Sequence, residues 1–242
     1  MRKPLTEEQD AFGHALLDYM NEKQGSEIIE RSDGHIDLSA GGDVYFATPS
    51  GTQADIVHRA RGRILDIGCG AGRYALYLQE RGHDVVGIDA SPLAVEICRR
   101  RGLKEAYALT LEQVTPSLGS FDTVLMLGNN FGLFGNRISA KRLLKRLRGV
   151  LAAGGQILAE TMDPYQTTDP SHLAYHVWNL EKGRMGGQIR MRVRYKSYRT
   201  PWFDYLFVSS KELEEIVAGT GWRVVEEVSV GGPNYVAVLE LA

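Results

Sequence analysis

The sequence predicts an α/β fold in which a mostly parallel sheet is covered by helices on both faces. Between residues 62 and 162, short apolar segments alternate with segments of helical spacing, which is typical of parallel strands joined by helical crossovers. Near the end, the apolar segments 222–230 and 234–241 are joined only by Gly231-Gly232-Pro233. Because so short a joint cannot form a parallel crossover, we expect the last strand of a seven-stranded sheet to run antiparallel.

The elements follow in order along the chain. A capping box of Thr6 and Gln9 predicts a first helix that ends at Gly25, and the glycines and prolines of 26–60 predict loops and short elements. Five strands of the main sheet are then expected at 63–67, 84–88, 105–109, 121–127 and 156–162. Helices between them are expected around 74–78, from Ser91-Pro92 to Gly102 and from Ser139 to Gly149.

The alternation of strands and helices pauses after the fifth strand. We expect an irregular stretch over 164–187, a half-buried strand over 189–196 and a partner strand over 203–208. Ser209 and Glu212 then form a second capping box, which predicts a helix reaching Gly219. The sequence therefore predicts a β insertion at about 164–208.

The composition is that of a folded protein and excludes several classes. Of the 242 residues, 43% are hydrophobic and 24% charged, which excludes global disorder. The net charge of -2 gives no whole-protein basic footprint for nucleic acid. No apolar run approaches ~18 residues and the N-terminus turns polar early, so we expect no membrane span and no signal peptide. The only cysteines, Cys69 and Cys98, favour a reducing, cytoplasmic setting.

The strongest local signal is the run from Ile64 to Arg73, ILDIGCGAGR, which combines a strand, a glycine-rich turn and a helix start. Glycines let a ligand approach the backbone closely, and a helix N-terminus attracts an anionic group. One strand later, Asp89 follows Ile88, where a carboxylate can accept hydrogen bonds from vicinal ribose hydroxyls. We therefore expect a cofactor with a ribose and an anionic tail.

The spacing of this turn differs from the dinucleotide fingerprint. That fingerprint needs a third small residue where this chain has Arg73, and Asp66 lies two residues before the first glycine. A carboxylate at this position would repel a pyrophosphate and attract an ammonium group. A zwitterionic amino-acid tail therefore suits the turn better than a phosphate.

Three segments carry a family resemblance: Leu65–Arg73 (LDIGCGAGR), Val86–Ser91 (VGIDAS) and Phe121–Leu127 (FDTVLML). Together they make residues 62–162 similar to the core of class I S-adenosylmethionine-dependent methyltransferases, and Glu214–Leu241 resembles the last helix and closing hairpin of that family. The resemblance implies a Rossmann-like sheet, S-adenosylmethionine as cofactor, and in-line displacement at its sulfonium methyl group.

The resemblance also implies cofactor-binding residues. These are Asp66, Gly68, Cys69, Gly70 and Gly72 for the methionine part, Asp89 and Ala90 for the ribose, and Gly128, Asn129 and Asn130 beside the sulfonium. The family commonly places an acid after its third strand to bind adenine, where this chain has Thr110 and then Leu111, which we favour for this contact. Arg73 either contacts the cofactor carboxylate or is a solvated residue of the first helical turn.

Related enzymes fold their leader over the cofactor. We therefore expect residues 1–61 to form an N-terminal helical lid ahead of a methyltransferase domain over 62–242. The residues expected to line the acceptor pocket are Tyr45, Asn130, Tyr165 and His172. His172 and His176 would share one helix face and are weak candidates for a general base, the alternative being structural or surface histidines. We assign no metal site.

The acceptor is not encoded in a motif. Residues 127–131 lack the Asp/Asn-Pro-Pro-aromatic signature of base-amine methylation, so we favour a small-molecule or short-peptide acceptor methylated on nitrogen or oxygen. Residues 182–199 hold seven basic side chains and no acid, and this basic strip either protects an edge strand or binds RNA, with Tyr195, Tyr198 and Trp202 stacking on bases. An RNA methyltransferase, a non-catalytic cofactor-binding protein and an NAD-dependent oxidoreductase are the alternatives. The oligomeric state stays open.

Overall fold

The computed structural model describes residues 3–21, 26–39 and 41–242. The strands are β1 (Ile28–Arg31), β2 (Ile36–Leu38), β3 (Ile64–Ile67), β4 (Val85–Asp89), β5 (Glu105–Ala108), β6 (Phe121–Met126), β7 (Leu151–Met162), β8 (Gln188–Tyr195), β9 (Tyr198–Arg199), β10 (Phe203–Leu206), β11 (Trp222–Gly231) and β12 (Asn234–Leu241). The α-helices are α1 (Ala11–Met20), α2 (Gly42–Phe46), α3 (Thr52–Val57), α4 (Arg73–Gln79), α5 (Pro92–Arg100), α6 (Arg137–Leu147), α7 (Pro170–Glu181) and α8 (Ser210–Val217). The predicted end of the first helix at Gly25 lies outside the described residues.

The strands form two sheets. The seven-stranded sheet has the order β11-β12-β7-β6-β3-β4-β5, and the other has the order β10-β8-β1-β2, with β9 paired to β8. In the large sheet the pairs β3–β4, β4–β5 and β6–β7 are parallel, whereas β12 is antiparallel to both β7 and β11. This confirms the predicted α/β fold with seven mostly parallel strands and an antiparallel last strand.

The chain forms two compact units. The first comprises Met1–Val114 and Met191–Trp202, and the second comprises Thr115–Arg190 and Phe203–Ala242. In the first unit, β3 and β4 are buried along almost their whole length, as expected for parallel strands covered on both faces. Ser91 caps α5 by accepting a hydrogen bond from the Ala94 amide, with Pro92 at the first helical position, as the sequence predicted.

The start of the first helix differs from the prediction. The capping box of Thr6 and Gln9 forms, but it encloses a short 3-10 helix, Glu7–Gln9. The α-helix itself begins at Ala11 and is capped by Asp10. Asp10 is fully buried, and each of its carboxyl oxygens accepts a hydrogen bond from a different helix. Oδ1 accepts from the Gly13 amide of α1 at 2.9 Å, and Oδ2 accepts from the Leu93 amide of α5 at 3.0 Å. The tertiary bond to α5 therefore decides where the helix starts.

In the second unit, residues predicted as irregular contain a helix. The helix α7 is capped by Asp169, which accepts from the Ser171 and His172 amides, and Pro170 occupies its first position. Its buried residues are Tyr175, His176 and Asn179, whereas several of its apolar residues point to solvent. The hydrophobic pattern therefore does not mark the buried face. The predicted insertion is mixed rather than purely β.

The strand β8 is not at an edge. It lies between β10 and β1 in its sheet, and in the first unit Ile28–Arg31 pair antiparallel with Arg194–Met191. The interpretation of the basic strip as protection of an edge strand is therefore wrong, since both sides of β8 are hydrogen-bonded to other strands. Across the described ranges, no helix has the length and apolar character needed to cross a bilayer.

Replacing Asp10 by alanine should lower the free energy of unfolding by about 2 kcal/mol, because it removes the cap of α1 and leaves the Leu93 amide of α5 without its acceptor at a buried position. Urea denaturation measures this change. Asp169→Ala is the matched control, since it removes an exposed cap, and we expect it to cost about 1 kcal/mol or less. A D10A variant as stable as the wild type would contradict this account of the first helix.

Candidate functional site

The glycine turn follows β3 and leads into α4. Gly68, Gly70 and Gly72 have φ values of +76°, +54° and +83°, which residues with side chains rarely adopt. The amides of Gly68 and Cys69 both donate to the Ile88 carbonyl of β4, at 2.8 and 3.0 Å. The turn is thus held against the neighbouring strand by its backbone.

Asp89 connects this turn to the start of α5. Its Oδ2 accepts from the Gly70 amide and its Oδ1 accepts from the Ser91 amide, both at 2.9 Å. Burial raises the pKa of Asp89 to about 6, and the amide hydrogen bonds from Ser91 and Gly70 oppose this increase. The Ala90 amide also acts on this carboxyl group. Because a carboxylate has about four lone-pair positions, the residue can still accept a ribose hydroxyl.

Asp66 is the least satisfied group of the turn. It lies in β3, is 1% exposed, and its Oδ2 is buried without a hydrogen-bond partner. Burial, followed by the charge of Asp89, raises its pKa to about 7. The backbone amide of Ala75 donates to the Asp66 carboxyl group and opposes this increase. The buried oxygen Oδ2 remains without a partner, which is costly for a carboxylate, and an ammonium group would supply it with both a positive charge and a hydrogen bond. The turn, Asp66 and Asp89 therefore fit a ligand that combines an amino-acid end with a ribose.

The cysteines pack behind the turn as thiols. Cys69 Sγ lies 3.8 Å from Cys98 Sγ, which itself lies 3.1 Å from the Gly70 carbonyl and donates to it. The hydrogen bond with Cys98, together with burial, raises the pKa of the Cys69 thiol well above its usual value. Cys69 is therefore a protonated packing residue here and is unsuited to act as a nucleophile.

Three other predicted cofactor residues have structural partners. Arg73 Nη2 donates to Gln53 Oε1 of α3 at 2.5 Å, and the Ala90 carbonyl accepts from the Leu5 amide at 2.9 Å. The Thr110 amide and hydroxyl donate to Gln113 Oε1, closing a capping box over a short 3-10 helix, Leu111–Gln113. The expected adenine residues Thr110 and Leu111 are therefore held in a cap directly after β5, and Leu111 is buried.

The leader packs onto the turn within the first unit. The ring of Phe12 is 3.7 Å from where a β-carbon on Gly70 would lie, and Tyr45 meets Phe12 edge-on with 5.0 Å between ring centroids. The Tyr45 hydroxyl donates to Glu27 at 3.0 Å. The predicted pocket residue Tyr45 thus lies one ring away from the glycine turn, and its role in a lid stays a prediction.

In the second unit, Gly128 and Asn129 follow β6 in left-handed conformation, with φ of +69° and +64°. The Gly128 amide donates to Glu160 Oε2 at 2.6 Å, and the Asn129 carbonyl accepts from the Tyr205 hydroxyl at 2.7 Å. Asn130 begins a 3-10 helix, Asn130–Phe134. The predicted residues of this segment therefore form a tight turn directly after β6.

The remaining predicted pocket residues lie in or near α7. His176 is buried and its ring meets that of Tyr165 with 5.6 Å between centroids, while the Tyr165 hydroxyl donates to Glu212 at 2.8 Å. Burial and this bond raise the pKa of Tyr165 well above its usual value. His172 lies one turn earlier and its amide donates to Asp169. The structure brings His176 and Tyr165 together, and the candidacy of either histidine as a base stays a prediction.

The sequence analysis missed Glu160 and Tyr205. Glu160 is the only charged residue of the segment Ile157–Thr161, at the carboxyl end of β7. An isolated acid at the end of a buried parallel strand is a usable signal, because such strand ends carry ligand contacts in α/β folds. Tyr205 gave no such signal, since it lies in a short aromatic strand outside the main sheet.

The basic strip is paired with acids. Glu30 accepts from Arg192 Nε and Nη2 at 3.0 and 2.9 Å and from Arg194 Nη1 at 3.0 Å, and Lys196 pairs with Asp18. Arg190 contacts Asp204 at 3.3 Å. The proposed stacking residues are also engaged: Arg192 lies over Trp202, Tyr198 stacks on His14, and the Tyr195 hydroxyl donates to Asp18. Three acids therefore pair with Arg190, Arg192, Arg194 and Lys196, four of the seven basic side chains of the strip.

Comparisons with known proteins agree with this geometry. Residues 64–155 match the family model described as a methyltransferase domain. A solved S-adenosylmethionine-dependent methyltransferase from Bacteroides fragilis, in complex with S-adenosyl-L-homocysteine, is 30% identical, with a TM-score of 0.84 over 99% of this chain and 98% of that chain.

Curated relatives match over shorter regions. A 2-heptyl-1-hydroxyquinolin-4(1H)-one methyltransferase from Mycobacteroides abscessus is 49% identical over 73 residues, covering 28% of this chain and 32% of that relative. A tRNA U34 carboxymethyltransferase from Geobacter sp. (strain M21) is 33% identical over 107 residues, covering 41% of this chain and 32% of that relative. The chain thus aligns with about a third of the length of each.

Replacing Asp66 by asparagine should change stability and ligand binding in opposite directions at pH 8. The raised pKa means that folded Asp66 holds its proton better than unfolded Asp66, so its stabilising contribution is present below pH ~4 and is lost as pH rises through about 7. Thermal unfolding of the cofactor-free protein should therefore show a melting temperature that falls less between pH 5 and pH 8 in D66N than in the wild type. Binding of S-adenosylhomocysteine should weaken at least tenfold.

Asp84→Asn is the matched control, because Asp84 is an exposed carboxylate of the same unit, paired with Arg63 at 2.9 Å. It should leave both the pH dependence and the affinity close to wild type. The same dependence of the melting temperature on pH in D66N and the wild type would contradict the assignment of Asp66 as a buried acid with a raised pKa.

Proposed function

The chain belongs to the S-adenosylmethionine-dependent methyltransferases, and we propose that it transfers the methyl group of this cofactor to a nitrogen or oxygen atom of a small-molecule or short-peptide acceptor. The observation that carries the proposal is the buried Asp66 carboxyl group, unpaired at Oδ2, beside a glycine turn that Asp89 holds. A ligand with an ammonium group and a ribose satisfies both acids, whereas a pyrophosphate would be repelled by them.

The cofactor supplies an electrophilic methyl group on a sulfonium, which is already a good leaving group. The protein's own residues therefore need only bind, orient the acceptor and, where the acceptor carries a proton, remove it. Asp66 and the 68–72 turn are proposed to hold the amino-acid end, and Asp89 the ribose. The turn at Gly128 and Asn129 is proposed to border the reacting methyl group.

The ion pairs of the basic strip support a small acceptor. The strip's arginines and lysine at 190–196 pair with Glu30, Asp18 and Asp204, so these side chains are already engaged with carboxylates that would compete with a phosphate backbone. The M. abscessus relative is named for a small heterocyclic compound, which supports the same acceptor class. The Geobacter relative is named for a tRNA reaction and keeps RNA as the second candidate. The two buried thiols suit a cytoplasmic location.

The acceptor class is tested by release of S-adenosylhomocysteine from S-adenosylmethionine. We expect turnover with a small acceptor from a panel of 2-heptyl-1-hydroxyquinolin-4(1H)-one, tryptamine and tyramine, and none with unmodified tRNA. The double variant Arg192→Ala/Arg194→Ala should keep this turnover, because these side chains pair with Glu30. Turnover on tRNA alone, lost in the double variant and at raised salt, would overturn the proposal in favour of an RNA acceptor.

A further inference from the structure

The Gly128–Asn129 turn is held open at the carboxyl end of β6. Gly128 is exposed, and a β-carbon built on it would meet no atom within 4 Å. Both residues have positive φ, and for Asn129, which carries a side chain, this conformation costs free energy unless the surroundings enforce it. Glycine adopts a positive φ without strain, so this cost falls on Asn129 alone, and two side chains constrain the dipeptide through hydrogen bonds at its two ends.

The first constraint is Glu160, at the end of β7. Its Oε2 accepts from the Gly128 amide at 2.6 Å, which is short for an N–H···O bond and typical of a strong one. Because β6 and β7 pair in parallel, with Met126 opposite Ala159, Glu160 lies one residue beyond the last pair, in position to reach the turn. The acid therefore fixes the amino end of the turn to the sheet.

The second constraint is Tyr205, on β10. Its hydroxyl donates to the Asn129 carbonyl at 2.7 Å, at the opposite end of the same dipeptide. Its ring lies against Gly132, where any β-carbon would collide with it, and it meets the ring of Phe207 edge-on at 5.4 Å. Burial and the carboxyl group of Glu160 raise the pKa of the Tyr205 hydroxyl well above its usual value, so it remains a donor.

We propose that Glu160 and Tyr205 are positioning residues for methyl transfer, which hold the Gly128–Asn129 turn by its two ends and so fix the surface that it offers to the reacting groups. This inference rests on the proposed function, since it gives the turn a catalytic purpose. Neither residue is assigned a proton transfer. They keep the backbone in one conformation, so that ordering it adds nothing to the activation free energy of the reaction.

The test compares Glu160→Ala, Glu160→Gln and Tyr205→Phe with Tyr235→Phe. The last is the matched control, because the Tyr235 hydroxyl also donates to a backbone carbonyl of the second unit, that of Val208 at 2.9 Å. Three quantities are measured: hydrogen–deuterium exchange of the segment 127–134 in the cofactor-free protein, the dissociation constant of S-adenosylhomocysteine by calorimetry, and kcat and KM with the small acceptor that the wild type methylates.

We expect E160A and Y205F to raise exchange in 127–134 at least tenfold and to lower kcat at least tenfold, with less than threefold change in the KM for S-adenosylmethionine. E160Q keeps an acceptor oxygen for the Gly128 amide, so it should recover most of both losses. Y235F should leave exchange in this segment unchanged. This combination separates positioning from a general structural role, which would raise exchange widely and show no rescue.

Unchanged exchange in E160A and Y205F would overturn the inference without any acceptor being needed. So would an E160Q variant with wild-type exchange but the kcat of E160A, because Glu160 would then act through its charge or proton. Failure of the wild type to bind S-adenosylhomocysteine would instead overturn the proposed function, and the exchange data would still decide whether the two side chains hold the turn.

Discussion

The structure of the first unit depends on two carboxyl groups beside one glycine turn, Asp66, which is buried, and Asp89, which is half-buried. Asp66 has an oxygen without a hydrogen-bond partner, and Asp89 uses its oxygens to hold the turn and the next helix. Burial, followed by the charge of Asp89, raises the pKa of Asp66 to about 7. Such an arrangement lowers the stability of the cofactor-free protein near neutral pH, and we propose that the cationic amino-acid end of the cofactor relieves this cost.

Much of the surrounding structure serves to keep these acids in place. The positive φ values of the turn allow its amides to reach Ile88, and the thiols of Cys69 and Cys98 fill the space behind it. Asp10 joins the leader helix to the start of α5, next to the segment that Asp89 holds. In the second unit another turn is held by side chains: Glu160 and the Tyr205 hydroxyl form hydrogen bonds with the two ends of the Gly128–Asn129 dipeptide.

Structural features that depend on neighbouring residues in the chain could be predicted from the sequence, whereas features that depend on contacts between distant residues could not. Buried parallel strands are continuous apolar runs, which the sequence shows directly. The Ser91-Pro92 cap and the glycine turn are each complete within a few residues, so their sequence patterns are sufficient to predict them. The helix α7 was missed because its buried face carries Tyr175, His176 and Asn179 in place of apolar residues. The role of Glu160 was missed because it depends on the pairing of β6 with β7.

We propose that Asp66, whose Oδ2 has no partner, receives the amino group of the cofactor while Asp89 receives its ribose. A crystal structure of the protein with S-adenosylhomocysteine tests this most directly. We expect the ligand's amino nitrogen within hydrogen-bond distance of the Asp66 carboxyl group, about 3 Å, and its ribose hydroxyls at Asp89. An amino group bound elsewhere, with Asp66 still unpaired in the complex, would contradict the account.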